Sequence, residues 1–240
     1  MTRDEVRSKI IFALDVHTLD EVDRFTEQLT GRVGMFKIGK ELFTSTGPEA
    51  VRMVLRRGGE LFLDLKYHDI PNTVAKASIE AARLGARFVD MHALGGAEMM
   101  TEAATAVRRE FGDERPRLLA ITILTSSSVE TLQGVGIEYP IDQMVVRLAK
   151  LAREAGMDGV VASPLEIGLI RAACGPDFLI VTPGVRPSFA AVDDQKRILT
   201  PGEAVAAGAD FIVIGRPIAK AAEPVAAVEM IVDEIMEAYP

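Results

Sequence analysis

The sequence is poor in cysteine, in positive charge and in long apolar runs, and each shortage excludes a class of protein. Its 240 residues hold one cysteine, Cys174. A lone thiol cannot close an internal disulfide, which argues against a stapled secreted scaffold and for a reducing compartment. Cys174 precedes Gly175-Pro176 after a helical pattern, with no charged neighbour to activate it, and reads as a small packed residue. Lys and Arg number 27 against 35 Asp and Glu, a net charge of −8, without the basic footprint of a duplex DNA binder. An anionic substrate must therefore be captured by a local cluster of cations. No apolar run reaches a membrane span. The opening MTRDEVRSK lacks the apolar core of a signal peptide and leads directly into a strand. These features predict a cytoplasmic protein with neither nucleic acid nor membrane as partner. Also missing are a GxGxxG after the first strand, a GxSxG, and any HxH or HxxxH spacing among His17, His68 and His92. Neither a metal nor a cofactor is expected.

What is present is an alternation. Short apolar runs occur at Lys9–Val16, Gly34–Ile38, Leu61–Leu65, Phe88–Met91, Leu118–Ile123, Gly159–Ala162, Phe178–Val181 and Phe211–Ile214. Helical patterns lie between them at Leu19–Leu29, Pro48–Arg57, Val74–Leu84, Ala97–Glu110, Ile141–Glu154 and Pro164–Ala173, with a last one near Glu223–Ala238. Strand and helix in turn imply parallel strands with helical crossovers. Runs such as IIFAL and FIVIG are apolar almost throughout, as a sheet covered by helices requires. Leu84-Gly85, Ala155-Gly156 and Ala207-Gly208 each precede a strand and suit helix C-termini. Eight strands in this length predict one (β/α)8 barrel, a single catalytic domain over residues 1–240. The stretch Thr182–Thr200 reads as a long irregular loop, which in a compact domain is usually functional.

A barrel of this kind works at the C-terminal ends of its strands. Strand one ends in Asp15, strand two carries Lys37, and strand three reads LFLDLKYHDIPNT. Side chains alternate along a strand, so Asp64 and Lys66 share a face, and Asp69 follows in the loop. One such acid alone would be a structural ion pair at the mouth. Asp15, Lys37, Asp64, Lys66 and Asp69 together point to a preorganised charge network. Strand seven leads into TPGVRP and strand eight into GRPIAKA. Gly215 allows close backbone approach, and Arg216 at a helix start, with Arg186 from the long loop, suits a phosphate. His92 ends strand four, where it either lines the mouth or is structural.

The run Asp64-Leu65-Lys66-Tyr67-His68-Asp69-Ile70-Pro71-Asn72-Thr73 resembles the DxKxxDIPxT signature of orotidine 5′-monophosphate decarboxylases. ALDV at Asp15, FKIG at Lys37, TPGVRP at Arg186 and IGRPI at Arg216 resemble that family too, in its order and over nearly the whole chain. The resemblance implies cofactor-free conversion of orotidine 5′-monophosphate to uridine 5′-monophosphate in de novo pyrimidine biosynthesis. It implies that Lys66 protonates C6 and that Lys37, Asp64 and Asp69 complete the network. It further implies a homodimer in which Asp69, Ile70 and Thr73 enter the neighbour's site. Asp15 and Lys37 would meet the ribose, Thr125 the pyrimidine, Gln195 both base and phosphate, and Gly215, Arg216 and Arg186 the phosphate. Which hydroxyl of Thr125–Ser128 touches the base stays open.

Three other readings compete. A sister family of Mg2+-dependent 3-keto-L-gulonate 6-phosphate decarboxylases shares DxKxxD, but resembles this chain less at Lys37, where it has a glutamate metal ligand; an ammonium is a poor neighbour for Mg2+. A Schiff-base aldolase would want a lysine of lowered pKa, and Asp64 and Asp69 flank Lys66. A barrel that binds a nucleotide phosphate without catalysis would not need the charge set.

Overall fold

A computed structural model describes residues 1–190 and 199–238. Eight strands, β1 (Ile10–Ala13), β2 (Met35–Gly39), β3 (Leu61–Tyr67), β4 (Phe88–His92), β5 (Arg117–Ile121), β6 (Gly159–Val161), β7 (Leu179–Pro183) and β8 (Phe211–Ile214), pair in chain order and close into a barrel. All eight pairings are parallel, β8 returning to β1. The predicted (β/α)8 architecture is the one observed.

Alternation along each strand divides the core in two. Ile10 and Phe12 of β1 and Ile212 and Ile214 of β8 face outward into the layer beneath the helices. Ile11, Ala13, Phe62, Phe88, Leu119, Val181 and Val213 face inward and fill the barrel axis. The inward set is apolar at the N-terminal end and polar at the other: β2 passes from Met35 to Lys37, β3 from Phe62 to Asp64, and β4 from Phe88 to Asp90. The interior is thus a packed plug with a charged top.

One irregularity interrupts the pairing. Between β3 and β4 the register runs from Leu63 opposite Val89 to Tyr67 opposite Met91. Three residues of β3, Asp64 to Lys66, therefore stand against the single residue Asp90. Such a bulge re-aims side chains next to a site.

The glycines expected at helix ends are there. Gly85, Gly156 and Gly208 have φ of 92°, 83° and 108°, each just after a helix C-cap. The N-terminus departs from the expectation that it leads straight into a strand. Arg3–Ser8 is a helix, started by a reciprocal cap in which Thr2 accepts from the Glu5 N–H and Glu5 accepts from the Thr2 N–H. Short helices at Lys40–Thr46, Val129–Gly134 and Pro201–Ala206 also add to those predicted, and the helix expected to start at Arg216 is Arg216–Ala219. Pro164–Ala173 resolves into a 3-10 turn, Pro164–Glu166, and a helix, Ile167–Cys174. Among the described residues no helix is long and apolar enough to cross a membrane.

Candidate active site

A cavity of about 250 Å³ opens at the C-terminal mouth of the barrel. Asp15, Lys37, Asp64, Lys66, Thr125, Arg186, Gly215 and Arg216 all line it. Residues far apart in sequence reach one space because each follows or ends a strand of the same closed sheet. Apolar walls come from Ile121, Ile123, Val161 and Val213.

The charges form a chain. Lys37 Nζ lies 3.1 Å from Asp64 Oδ2 and 3.5 Å from Asp15 Oδ1. Lys66 Nζ donates to Asp64 Oδ1, on the other oxygen of the same carboxylate. Burial alone would lower the Lys37 pKa, but Asp64 and Asp15 outweigh it and hold the amine above its ordinary value. Burial would likewise raise the Asp64 carboxyl; Lys37, then the neighbouring Asp90 and Lys66, outweigh it and bring it to about 2. Asp64 is therefore ionised at neutral pH between two ammonium groups, as opposite charges at short range dictate.

Lys66 is held in an uncommon backbone conformation. Its φ is 53°, the one positive value at a non-glycine position among the described residues. A left-handed conformation costs a side-chain-bearing residue about 1–2 kcal/mol, and persists where the surroundings fix it. Here the bulge supplies the bend, and Asp90 Oδ1 accepts the Lys66 backbone N–H at 2.8 Å. Sequence reasoning missed Asp90, which is fully buried beneath the site. The available signal was its spacing: in FVDMH it shares the inward face with Phe88 and His92.

Beside Asp15, a Cβ on Gly215 would lie 3.1 Å from Asp15 Oδ2 and 3.2 Å from Ala13 Cβ. A side chain there would push against Asp15, which would have to give by a few tenths of an ångström. Arg186 is buried, and its backbone N–H donates to Leu199 O at 3.0 Å, which ties the start of the long loop to its end. Within Thr125–Ser128, Thr125 faces the cavity, whereas Ser128 caps the helix Val129–Gly134 by accepting from the Thr131 N–H.

Asp69, Ile70 and Thr73 are not brought to this cavity. They sit at the start of the helix Pro71–Arg83 and are exposed, Ile70 at 66%. Gln195 lies outside the described residues. His92 packs its ring 5.5 Å from that of His68 and does not line the cavity. Burial, followed by His68 and Lys66, lowers its pKa to about 4, so it is neutral at pH 7. Among the described residues no group of three or more His, Cys, Asp or Glu is placed to hold a metal ion.

A family model described as the orotidine 5′-phosphate decarboxylase / HUMPS family matches residues 8–231. The orotidine 5′-phosphate decarboxylase of Pelobacter propionicus is 72% identical over 240 residues, all of both chains. That of Trichlorobacter lovleyi is 70% identical over 237 residues, 98% of each. The crystal structure of orotidine 5′-phosphate decarboxylase from Lactobacillus acidophilus superimposes with a TM-score of 0.83 at 37% identity, covering 94% of this chain and 98% of that one.

Proposed function

The chain belongs to the orotidine 5′-phosphate decarboxylase / HUMPS family, and from that premise we infer how its barrel mouth converts orotidine 5′-monophosphate to uridine 5′-monophosphate and CO2. The observation that carries the reading is the charge chain: one ionised acid, Asp64, between two ammonium groups, Lys37 and Lys66, over an apolar cavity.

The C6–carboxylate bond breaks and its electron pair stays on C6. No neighbouring carbonyl can delocalise that pair, so fixed charge must stabilise it. The Lys66 ammonium faces the developing carbanion and then donates a proton from Nζ to C6. The neutral amine regains its proton from solvent. Asp64 accepts from Lys66 Nζ and so aims it, and lies near the departing carboxylate. Asp15 and Lys37 bind the ribose hydroxyls, and Thr125 stands beside the pyrimidine. Gly215, Arg216 and Arg186 receive the phosphate at the mouth, the usual place for it in this fold. Gln195 would contact base and phosphate.

Asp69, Ile70 and Thr73 are assigned to a partner's site in a two-fold dimer. Their exposure beside the mouth supports that assignment, since a strand-three loop that serves its own site would be expected at its own cavity. We place the protein in the cytoplasm, a reducing compartment in keeping with its single cysteine.

Absorbance loss of orotidine 5′-monophosphate with purified protein tests the reading. Turnover should persist after exhaustive EDTA treatment. If chelation abolished it and Mg2+ restored it, the metal-dependent sister chemistry would take its place.

A further inference from the structure

Asp90 is a buried acid that the reaction as described does not use. It is fully buried in β4. Oδ1 accepts the Lys66 backbone N–H, yet Oδ2 has no donor among the described residues, although it is buried and only 3.8 Å from Lys66 Nζ. An orphaned carboxylate oxygen in the interior is costly, and an ionised one more so.

The groups around Asp90 explain the orphan. Across the bulge β3 presents Asp64, Lys66 and Tyr67; β2 adds Lys37 beyond them; β5 places Leu119 opposite in register; its own strand offers His92. Asp64 and Asp90 stand on adjacent strands against the same ammonium: Lys66 Nζ donates to Asp64 Oδ1 and lies 3.8 Å from Asp90 Oδ2. Two buried carboxyl groups so placed disfavour each other's ionisation, and one of them holds a proton more readily. Asp64 has an ammonium on each oxygen and does not need one. Asp90 has a single ammonium, Lys66 Nζ at 3.8 Å from Oδ2 and already bonded to Asp64, and burial followed by the Asp64 charge pushes its carboxyl well above the ordinary range.

We propose that Asp90 is a positioning residue: as a neutral carboxylic acid it accepts the Lys66 N–H on Oδ1 and donates the proton on Oδ2 to Asp64. It thereby substitutes for the ladder partner that the bulge removes from Lys66, and it orients the carboxylate that aims the Lys66 ammonium. The neutral acid also adds no second negative charge to compete for that ammonium.

Two variants test this, and the kinetic arm rests on the decarboxylase reading. Asp90→Asn keeps an acceptor for Lys66 and a donor for Asp64; Asp90→Leu keeps the volume and neither bond. Asp90→Leu should lower kcat by at least ~10-fold with a smaller change in KM, as loss of alignment for the chemical step requires. Asp90→Asn should retain most of what Asp90→Leu loses. Unchanged kcat in Asp90→Leu, or an equal loss in Asp90→Asn, overturns the positioning role.

The protonation state is read without substrate. Above about pH 4 the unfolded wild-type chain releases the Asp90 proton while the folded chain keeps it, so wild-type stability falls as pH rises. Asn has no proton to release. The Tm of Asp90→Asn relative to wild type should therefore climb between about pH 4 and pH 7. A difference that stays flat with pH overturns the neutral acid, even if Asp90→Leu does not fold. A wild-type protein with no turnover would refute the decarboxylase reading and leave this second measurement standing.

Discussion

Lys66 combines a fixed charge and a transferable proton in one group, and Asp64 fixes where both point. Replacing it with alanine removes the two effects together. Lys66→Ala should lower kcat by at least ~10^3, since each effect alone is worth ~10^2 or more. Near-normal turnover would take Lys66 out of the mechanism. The charged residues that face the cavity were legible in the sequence, because strand alternation puts Asp64 and Lys66 on one face and charge is conspicuous at the end of an apolar run. Asp90 was not legible in the same way. A single acid between Val89 and Met91 looks like any polar position of a strand, and its meaning depends on pairing with a bulge in another strand. That pairing is a long-range fact.

Polar residues at the opposite end of the strands serve stability instead of chemistry. Asp158 precedes β6, accepts both guanidinium nitrogens of Arg115 at 2.6 and 2.7 Å, and also accepts the Leu118 N–H at 2.8 Å. The two side chains are only 12% and 10% exposed. Asp158→Ala would strand a largely buried guanidinium and a backbone donor, at a cost of about 3 kcal/mol. The denaturation midpoint should fall accordingly while kcat stays unchanged, because the N-terminal face of a barrel is remote from the mouth. An unmoved midpoint would show the pair to be energetically idle. The eight strands and the long helices between them were readable from periodicity, which needs several turns or alternations to emerge. The six-residue helices Arg3–Ser8 and Pro201–Ala206 are too short for that. Each nevertheless begins with the same T-x-x-E cap, Thr2 with Glu5 and Thr200 with Glu203. Lys40–Thr46 is separated from Pro48–Arg56 only by Gly47, whose φ of 59° breaks the axis.

At the level of the assembled molecule, a mixture of two inactive proteins can test the proposed sharing of sites. Let Lys66→Ala and Asp69→Ala subunits exchange. Random pairing makes half the dimers mixed, and each mixed dimer has one intact site of two, so about a quarter of wild-type activity should return if Asp69 serves its partner. Confirmed exchange without recovery would assign Asp69 to its own chain and leave the decarboxylase reading intact. The barrel as a whole also carries a clock. Cys174 is the chain's one thiol, 4% exposed at the end of the helix Ile167–Cys174. A thiol reagent cannot reach it from solution while that helix stays packed on the sheet. The pace at which the reagent consumes the thiol is therefore the pace at which the folded barrel lends itself to opening. A ligand seated at the mouth would slow that pace by mass action, about 100-fold at 100 times its Kd where opening also destroys its site.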